Sequence, residues 1–300
     1  MSSKKKMEQA AEMTKSVSPM RDAMNRLLRD KAAIVCIVIL IIIFLITIFA
    51  DLIAPYDYAK QDYASIFKMP STKHLFGTDN YGRDLFSRVI KGGQISLLIS
   101  VLATAIAMII GSIFGATAAY FEGSKGGNIY STIVMRLMDV IMAMPSFMMA
   151  MTISAALGSG TVNTIIAMSI SATPTFVRIM YAAVIAIKNE EFIEAAKATG
   201  AKNLRIIVKY VIPNCLAPII VNTTFRLGAS LMAIAGLSFV GLGVQPPTPE
   251  WGSIMSAGKQ YIRDFWPIVV FPGLVIAITL VCFQLLGDKL RDAMDPKLKQ

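Results

Sequence analysis

Polar and apolar positions separate along this chain into long blocks. Residues 1–31 are polar and basic, carrying Lys4, Lys5, Lys6, Lys15, Arg21, Arg26, Arg29 and Lys31. No charged residue occurs between 32 and 50, a stretch long enough to cross a hydrocarbon core of about 30 Å as a helix. Further apolar blocks at 95–120, 133–157, 162–187, 216–244 and 268–286 bring the expected spans to six. Lipid offers no water to backbone polar groups, so each block should be a helix that satisfies its own. Gly111, Gly115, Pro145, Pro174, Gly228 and Gly236 fall inside the blocks, where glycine and proline are tolerated better than in soluble helices. A cleaved signal peptide is the rival reading of the first block, but its basic region and its apolar run are both too long.

Composition supports lipid as the solvent. Of 300 residues 55% are hydrophobic and 16% charged, against about 25% charged in soluble domains. The net charge of +10 suits an anionic membrane face. No basic stripe with interleaved aromatics is present, so nucleic acid is not an expected partner. Cys36, Cys215 and Cys282 form no CxxC pair and read as small buried hydrophobes. With His74 the only histidine, neither a metal site nor a catalytic residue is expected. No HExxH, GxSxG or paired intramembrane aspartates point to an embedded enzyme.

Loop charge sets the expected orientation. A basic cytoplasmic tail (1–31) leads to a first span (32–54) and an extracytoplasmic loop (55–93). A membrane domain (94–287) with a cytoplasmic loop at 189–213 follows, then a cytoplasmic tail (288–300). One conflict stands: residues 51–93 hold Lys60, Lys68, Lys73, Arg83, Arg88 and Lys91 on the expected outer side, offset only by Asp57, Asp62, Asp79 and Asp84.

The segment 189–213 reads NEEFIEAAKATGAKNLRIIVKYVIP. Phe192, Ala195, Ala196 and Thr199 recur at i, i+3, i+4 and i+7, one helix face. Glu190, Glu191 and Glu194 lie in its first turns, where the helix dipole favours anions. Gly200 can take the left-handed conformation that ends a helix. Asn203 could cap a second helix whose face would be Leu204, Ile207, Val208 and Val211, with Pro213 at the entry to the next span. Two short amphipathic helices need a cover, either their own bundle or another protein.

Other positions carry weaker signals. GTDNYGRD (77–84) has P-loop glycine spacing, but Arg83-Asp84 replaces the Lys-Ser/Thr pair and no strand precedes it. A structured loop is the better reading, with Asp79 or Asp84 pairing Arg83 or Arg88. Arg136 and Asp139 are three apart on one face and can pair. Arg178 is placed to snorkel. Arg226 lies about ten residues into the fifth block, where a charge should face a cavity or a partner, and it is a candidate for the substrate path. Met135, Met138, Met142, Met144, Met148, Met149 and Met151 crowd the third block, as pliable packing or as a lining for varied substrates. Thioethers suit Cu(I), not Ni(II). Trp251 and Trp266 fit an interfacial aromatic belt.

Glu194-Ala195-Ala196, Gly200 and the Ile212-Pro213 pair together resemble the EAA loop of ABC importer permeases. HLFGTDNYGRDLFSRVIKGGQISL (74–97), MRLMDVIMAMPSF (135–147), LSFVGLGVQPPTPEWG (237–252) and LLGDKLRDAMDPKL (285–298) are similar to the second, C-type permease subunit of dipeptide, oligopeptide and nickel importers. The resemblance covers nearly everything after residue 30. It implies an all-α, six-span type I importer permease whose loop, through Glu194, Ala195, Ala196, Gly200 and Pro213, docks on an ATPase. It also implies a homologous second permease, two cytoplasmic ATPase subunits holding ATP and Mg, and an extracytoplasmic solute-binding protein, all at a bacterial or archaeal plasma membrane. This chain lacks a Walker A motif and is expected to bind no cofactor. Peptides are the favoured substrate; nickel or another small solute is the alternative, and an ATP-independent transporter or channel a remote one. Arg226 and Met148 are the expected pathway residues.

Overall fold

The computed structural model describes residues 19–295, with the side chains of 19–22 excepted. The lysines of the first fifteen residues and those of the last five lie outside the described residues.

Helices account for the membrane domain, and among the described residues the only β pairing is an isolated bridge between Thr78 and Asp84. α1 (Pro19–Leu27) precedes α2 (Lys31–Ile48) and the short α3 (Ala50–Ile53). An irregular segment with a 3-10 turn (Tyr63–Ser65) leads to α4 (Leu85–Phe121), α5 (Lys125–Met142), α6 (Ser146–Leu157) and α7 (Thr161–Ile187). Then come α8 (Glu191–Ala198), α9 (Asn203–Ile206), a π turn (Ile207–Val211), α10 (Ile212–Asn214), α11 (Leu216–Phe239), α12 (Trp251–Gly258) and α13 (Pro267–Met294). Short polar side chains start them: Asp30, Asp84 and Ser124 accept from first-turn N–H groups of α2, α4 and α5, and Glu250 closes a capping box with Ser253 on α12.

Among the described residues five helices, α2, α4, α7, α11 and α13, are long and apolar enough to span a membrane. The third expected span differs. α5 and α6 bend by 87° at a short break, where Pro145 takes extended backbone, so residues 133–157 are not one straight helix. The first expected span is also interrupted, at Phe49 between α2 and α3. α4 has 37 residues, about 55 Å at 1.5 Å per residue, more than the hydrocarbon thickness alone requires.

α4 crosses α7 at close range. A Cβ on Gly111 would sit 2.4 Å from Phe176 Cβ, and one on Gly115 would sit 2.4 Å from the Val177 carbonyl oxygen. Four apart, these glycines present one smooth face and let the backbones approach. α11 meets α13 likewise, with Gly228 against Leu280 and Phe283, and Gly287 against Phe225.

The bundle has two ends. At one, called the terminal end, Lys289 pairs with Asp30 at 2.9 Å, Lys188 lies 3.7 Å from Glu122, and α8–α10 are gathered. At the other, the loop end, Lys91 pairs with Asp51 at 2.5 Å, and Gly160 N–H donates to the Gly243 carbonyl. The loop before α4 is built on carboxylates. Asp79 accepts from Arg83 Nε at 2.7 Å and lies 3.4 Å from Arg88 Nε, all three buried. Asp84 accepts from Ser87 N–H and Oγ–H and lies 2.9 Å from His74 Nδ1. The GTDNYGRD glycines serve this turn: Gly82 has φ +72°, and a Cβ there would strike the Asp62 backbone. Trp251 does not belong to an interfacial belt. It is 1% exposed, and its Nε1–H donates to the Val89 carbonyl at 2.8 Å, pinning α12 under the start of α4. Trp266 is 44% exposed.

Candidate functional site

The segment 189–213 folds as a helix, a glycine turn and a second, irregular helix. Gly200 has φ +76°; its N–H donates to the Lys197 carbonyl, and the Ala201 N–H reaches back to Ala196. Those two bonds are a Schellman ending of α8. The buried side of α8 is Ile193 and Ala196, while Phe192, Glu194, Ala195 and Thr199 are exposed. The expected face of Phe192, Ala195, Ala196 and Thr199 is thus split: Ala196 packs inward and the others form an open stripe. Nothing among the described residues pairs with the carboxylates of Glu190, Glu191 or Glu194.

The second half departs further from a regular amphipathic helix. Ile206, Ile207 and Val211 are buried, whereas Leu204 is 73% exposed and Val208 57%. The π turn, seen in the Ile212 N–H donating to the Ile207 carbonyl, breaks the 3.6-residue register. Asn203 is not a cap: Lys202 holds that position, and Asn203 Oδ1 accepts from the Tyr120 hydroxyl at 3.1 Å. Pro213 sits in α10, just before α11. Ile193, Ala196, Ile206, Ile207 and Val211 join one core with Ala107 and Ala116 of α4, Phe176, Met180 and Val184 of α7, and Ile219 of α11. Burial raises the Cys215 thiol at this junction to about 11, so it stays protonated. A push on α8 therefore enters a core that it shares with three spanning helices.

One of those helices, α11, carries Arg226. The side chain lines a cavity of about 80 Å³ bounded by α4, α6, α7 and α11, together with Thr104, Ser146, Ser171 and Ser230. It donates to the Thr175 hydroxyl, and among the described residues it has no carboxylate partner. An arginine at the centre of a spanning helix costs roughly 2.5–3.5 kcal/mol on insertion scales, so its retention needs a polar cavity or partner. Met148 is 56% exposed and is not part of this wall, although its neighbours Ser146, Phe147 and Ala150 are. Arg136 reaches Asp139 only at 3.8 Å; the short contact is from Arg178, at 2.6 Å. Arg178 thus ties α7 to α5 beside the bend. Asn222, one turn before Arg226, was not singled out from sequence. Polar residues spaced four apart in an apolar span were the available signal. Among the described residues no three His, Cys, Asp or Glu side chains gather as metal ligands.

Two family models match the chain. One is the binding-protein-dependent transport system inner membrane component, over residues 111–300; the other is the N-terminal transmembrane domain of oligopeptide transport permease C, over 18–70. The dipeptide transport system permease protein DppC of Alkalihalophilus pseudofirmus is 41% identical over 95% of this chain and 92% of its own. The glutathione transport system permease protein GsiD of Escherichia coli is 40% identical over 94% and 92%. An inward-facing MetNI methionine ABC transporter structure shares the fold at 20% identity and a TM-score of 0.57, covering 70% of this chain and 98% of that one. The chain therefore belongs to the family of inner membrane components of binding-protein-dependent transport systems, as a C-type permease subunit of an ABC importer.

Proposed function

We propose that this chain forms half of the translocation pathway of an ATP-driven peptide importer, and that α8 with its glycine turn is the surface on which an ATPase subunit acts. The observation that carries the coupling role is the open stripe of Phe192, Ala195 and Thr199, with Glu194 exposed on the flank, on a helix whose other face is anchored in the core of the bundle. Small residues there allow close approach, and three unpaired carboxylates offer charge. A second permease of the same family completes the pathway, two ATPase subunits bind ATP and Mg at the cytoplasmic face, and a binding protein delivers substrate outside. Peptides are favoured because relatives named for dipeptide and glutathione transport match over almost their whole length.

In this reading the terminal end is cytoplasmic, so both termini and α8–α10 face the ATPases. The cations of the outer loop support that orientation better than their number suggests. Arg83 and Arg88 are buried on Asp79, and Lys91 is paired with Asp51. ATP-driven closure of the ATPases pushes on α8. The shared core carries the push to α4, α7 and α11 and so to the cavity around Arg226.

Glu194→Lys reverses a charge on the open face, and Gly200→Val forces a β-branched residue into left-handed backbone. In proteoliposomes holding the whole transporter, each variant is expected to lower ATP-dependent peptide uptake at least tenfold and weaken ATPase co-purification, with the sister permease retained. Unchanged uptake and ATPase association in both variants would reject the coupling role.

A further inference from the structure

Asn222, Arg226 and Ser230 stand at one-turn spacing on α11, and residues four apart share a helix face. Asn222 borders a cavity of about 590 Å³ at the terminal end, with Arg291 and Asp295 on its wall. Arg226 and Ser230 border the cavity of about 80 Å³ farther along the helix. One polar edge thus touches two cavities in succession.

That edge has donors to spare. Asn222 Nδ2 is buried with no hydrogen-bond partner. Arg226 gives one N–H group to Thr175, out of the five a guanidinium offers, and nothing acidic among the described residues balances its charge. Planar N–H pairs suit a carboxylate. About 80 Å³ is several times the ~10–15 Å³ of such space that one water needs, so a carboxylate group fits. Ala103, Ala150, Ala172, Ala229 and Ala233 form much of the remaining wall and impose no side-chain selection.

We infer that Arg226, assisted by Asn222, is a carboxylate subsite of the translocation pathway. It takes the C-terminal carboxylate of the passing peptide. This rests on the peptide-import reading above. The side chain at that terminus is not read, which fits a path shared by peptides of varied sequence. Asn222 receives the carboxylate next, on the way to the larger cavity at the terminal end.

The test uses the whole transporter in proteoliposomes, with binding protein preloaded with either a dipeptide or its C-terminal amide and the loading verified by titration. The wild type is expected to transport the free acid at least tenfold faster than the amide. Arg226→Gln should lower free-acid transport about tenfold, leave amide transport unchanged and so erase the preference, while Arg226→Lys keeps most of it. Asn222→Ala should lower free-acid transport two- to fivefold, again sparing the amide, and decides the matter if the glutamine variant fails to assemble. If the variants slow both peptides by the same factor, or if wild type shows no preference, the subsite is rejected. If wild-type transporter moves neither peptide with ATP, the peptide-import reading itself fails.

Discussion

Gly115→Leu is expected to abolish assembly of the permease. A Cβ at Gly115 would already lie 2.4 Å from the Val177 carbonyl oxygen and 2.9 Å from Met180 Cβ. Backbone cannot step aside as a flexible side chain can, so α4 and α7 must separate. Added methylenes in a packed interior typically cost ~1–3 kcal/mol, and leucine adds four carbons where not even one fits. The crossing also holds the core beneath α8, since Phe176 and Met180 belong to both. The check is the amount of chain recovered with its partner subunits from membranes, expected to fall at least tenfold. Ile113→Leu, on the half-exposed side of the same helix, should leave recovery unchanged. Gly115→Ala should give an intermediate loss; normal recovery of the leucine variant would show that the helices are not this close.

The second large effect is electrostatic. Asp79→Ala removes the carboxylate shared by Arg83 and Arg88, which are 6% and 4% exposed. Leaving buried charge unpaired costs ~3–5 kcal/mol, here twice over, though water entering the loop end will recover part of it. The Asp79 carboxylate also accepts the Tyr81 and Arg83 backbone N–H groups, so the turn itself loosens. Thermal denaturation of the purified complex should show a clearly lowered midpoint for Asp79→Ala. Adding Arg83→Leu and Arg88→Leu should restore more than half of the loss, because an apolar cluster replaces a broken ionic one. A midpoint equal to wild type would contradict the buried network.

The spans were readable because lipid demands long apolar helices, and the glycine turn because one residue type accepts φ near +76°. The bend in the third span was not readable from proline alone. Pro145 ends a helix and Pro174 does not: Pro174 is buried within continuous α7, beside the residues that meet Gly111, whereas Pro145 is exposed at the α5–α6 break. Tertiary packing decides between those outcomes. Trp251 misled for a similar reason. An indole suits an interface, but the Val89 carbonyl gave its N–H a buried partner. In the 189–213 segment, 3.6-residue spacing placed Leu204 and Val208 on the packed face, but the helix buries Ile206, Ile207 and Val211 instead, and a π turn at 207–211 departs from that period. Arg226 was conspicuous as a lone charge in a span; the cavity it lines depends on small residues from four helices, which no local pattern reveals.

The coupling role is tested most directly by site-directed disulfide cross-linking between α8 and an ATPase subunit in the assembled transporter. Single cysteines at Ala195, on the open face, and at Ile193, on the buried face, would each be combined with a scan of cysteines over the ATPase surface. Cys36, Cys215 and Cys282 are buried and should not react in their native form. Ala195→Cys is expected to form an ATPase adduct whose yield changes when ATP is added, while Ile193→Cys forms none. A transporter that still imports peptide but gives no adduct from Ala195→Cys with any ATPase cysteine would contradict the assignment of α8 as the coupling surface.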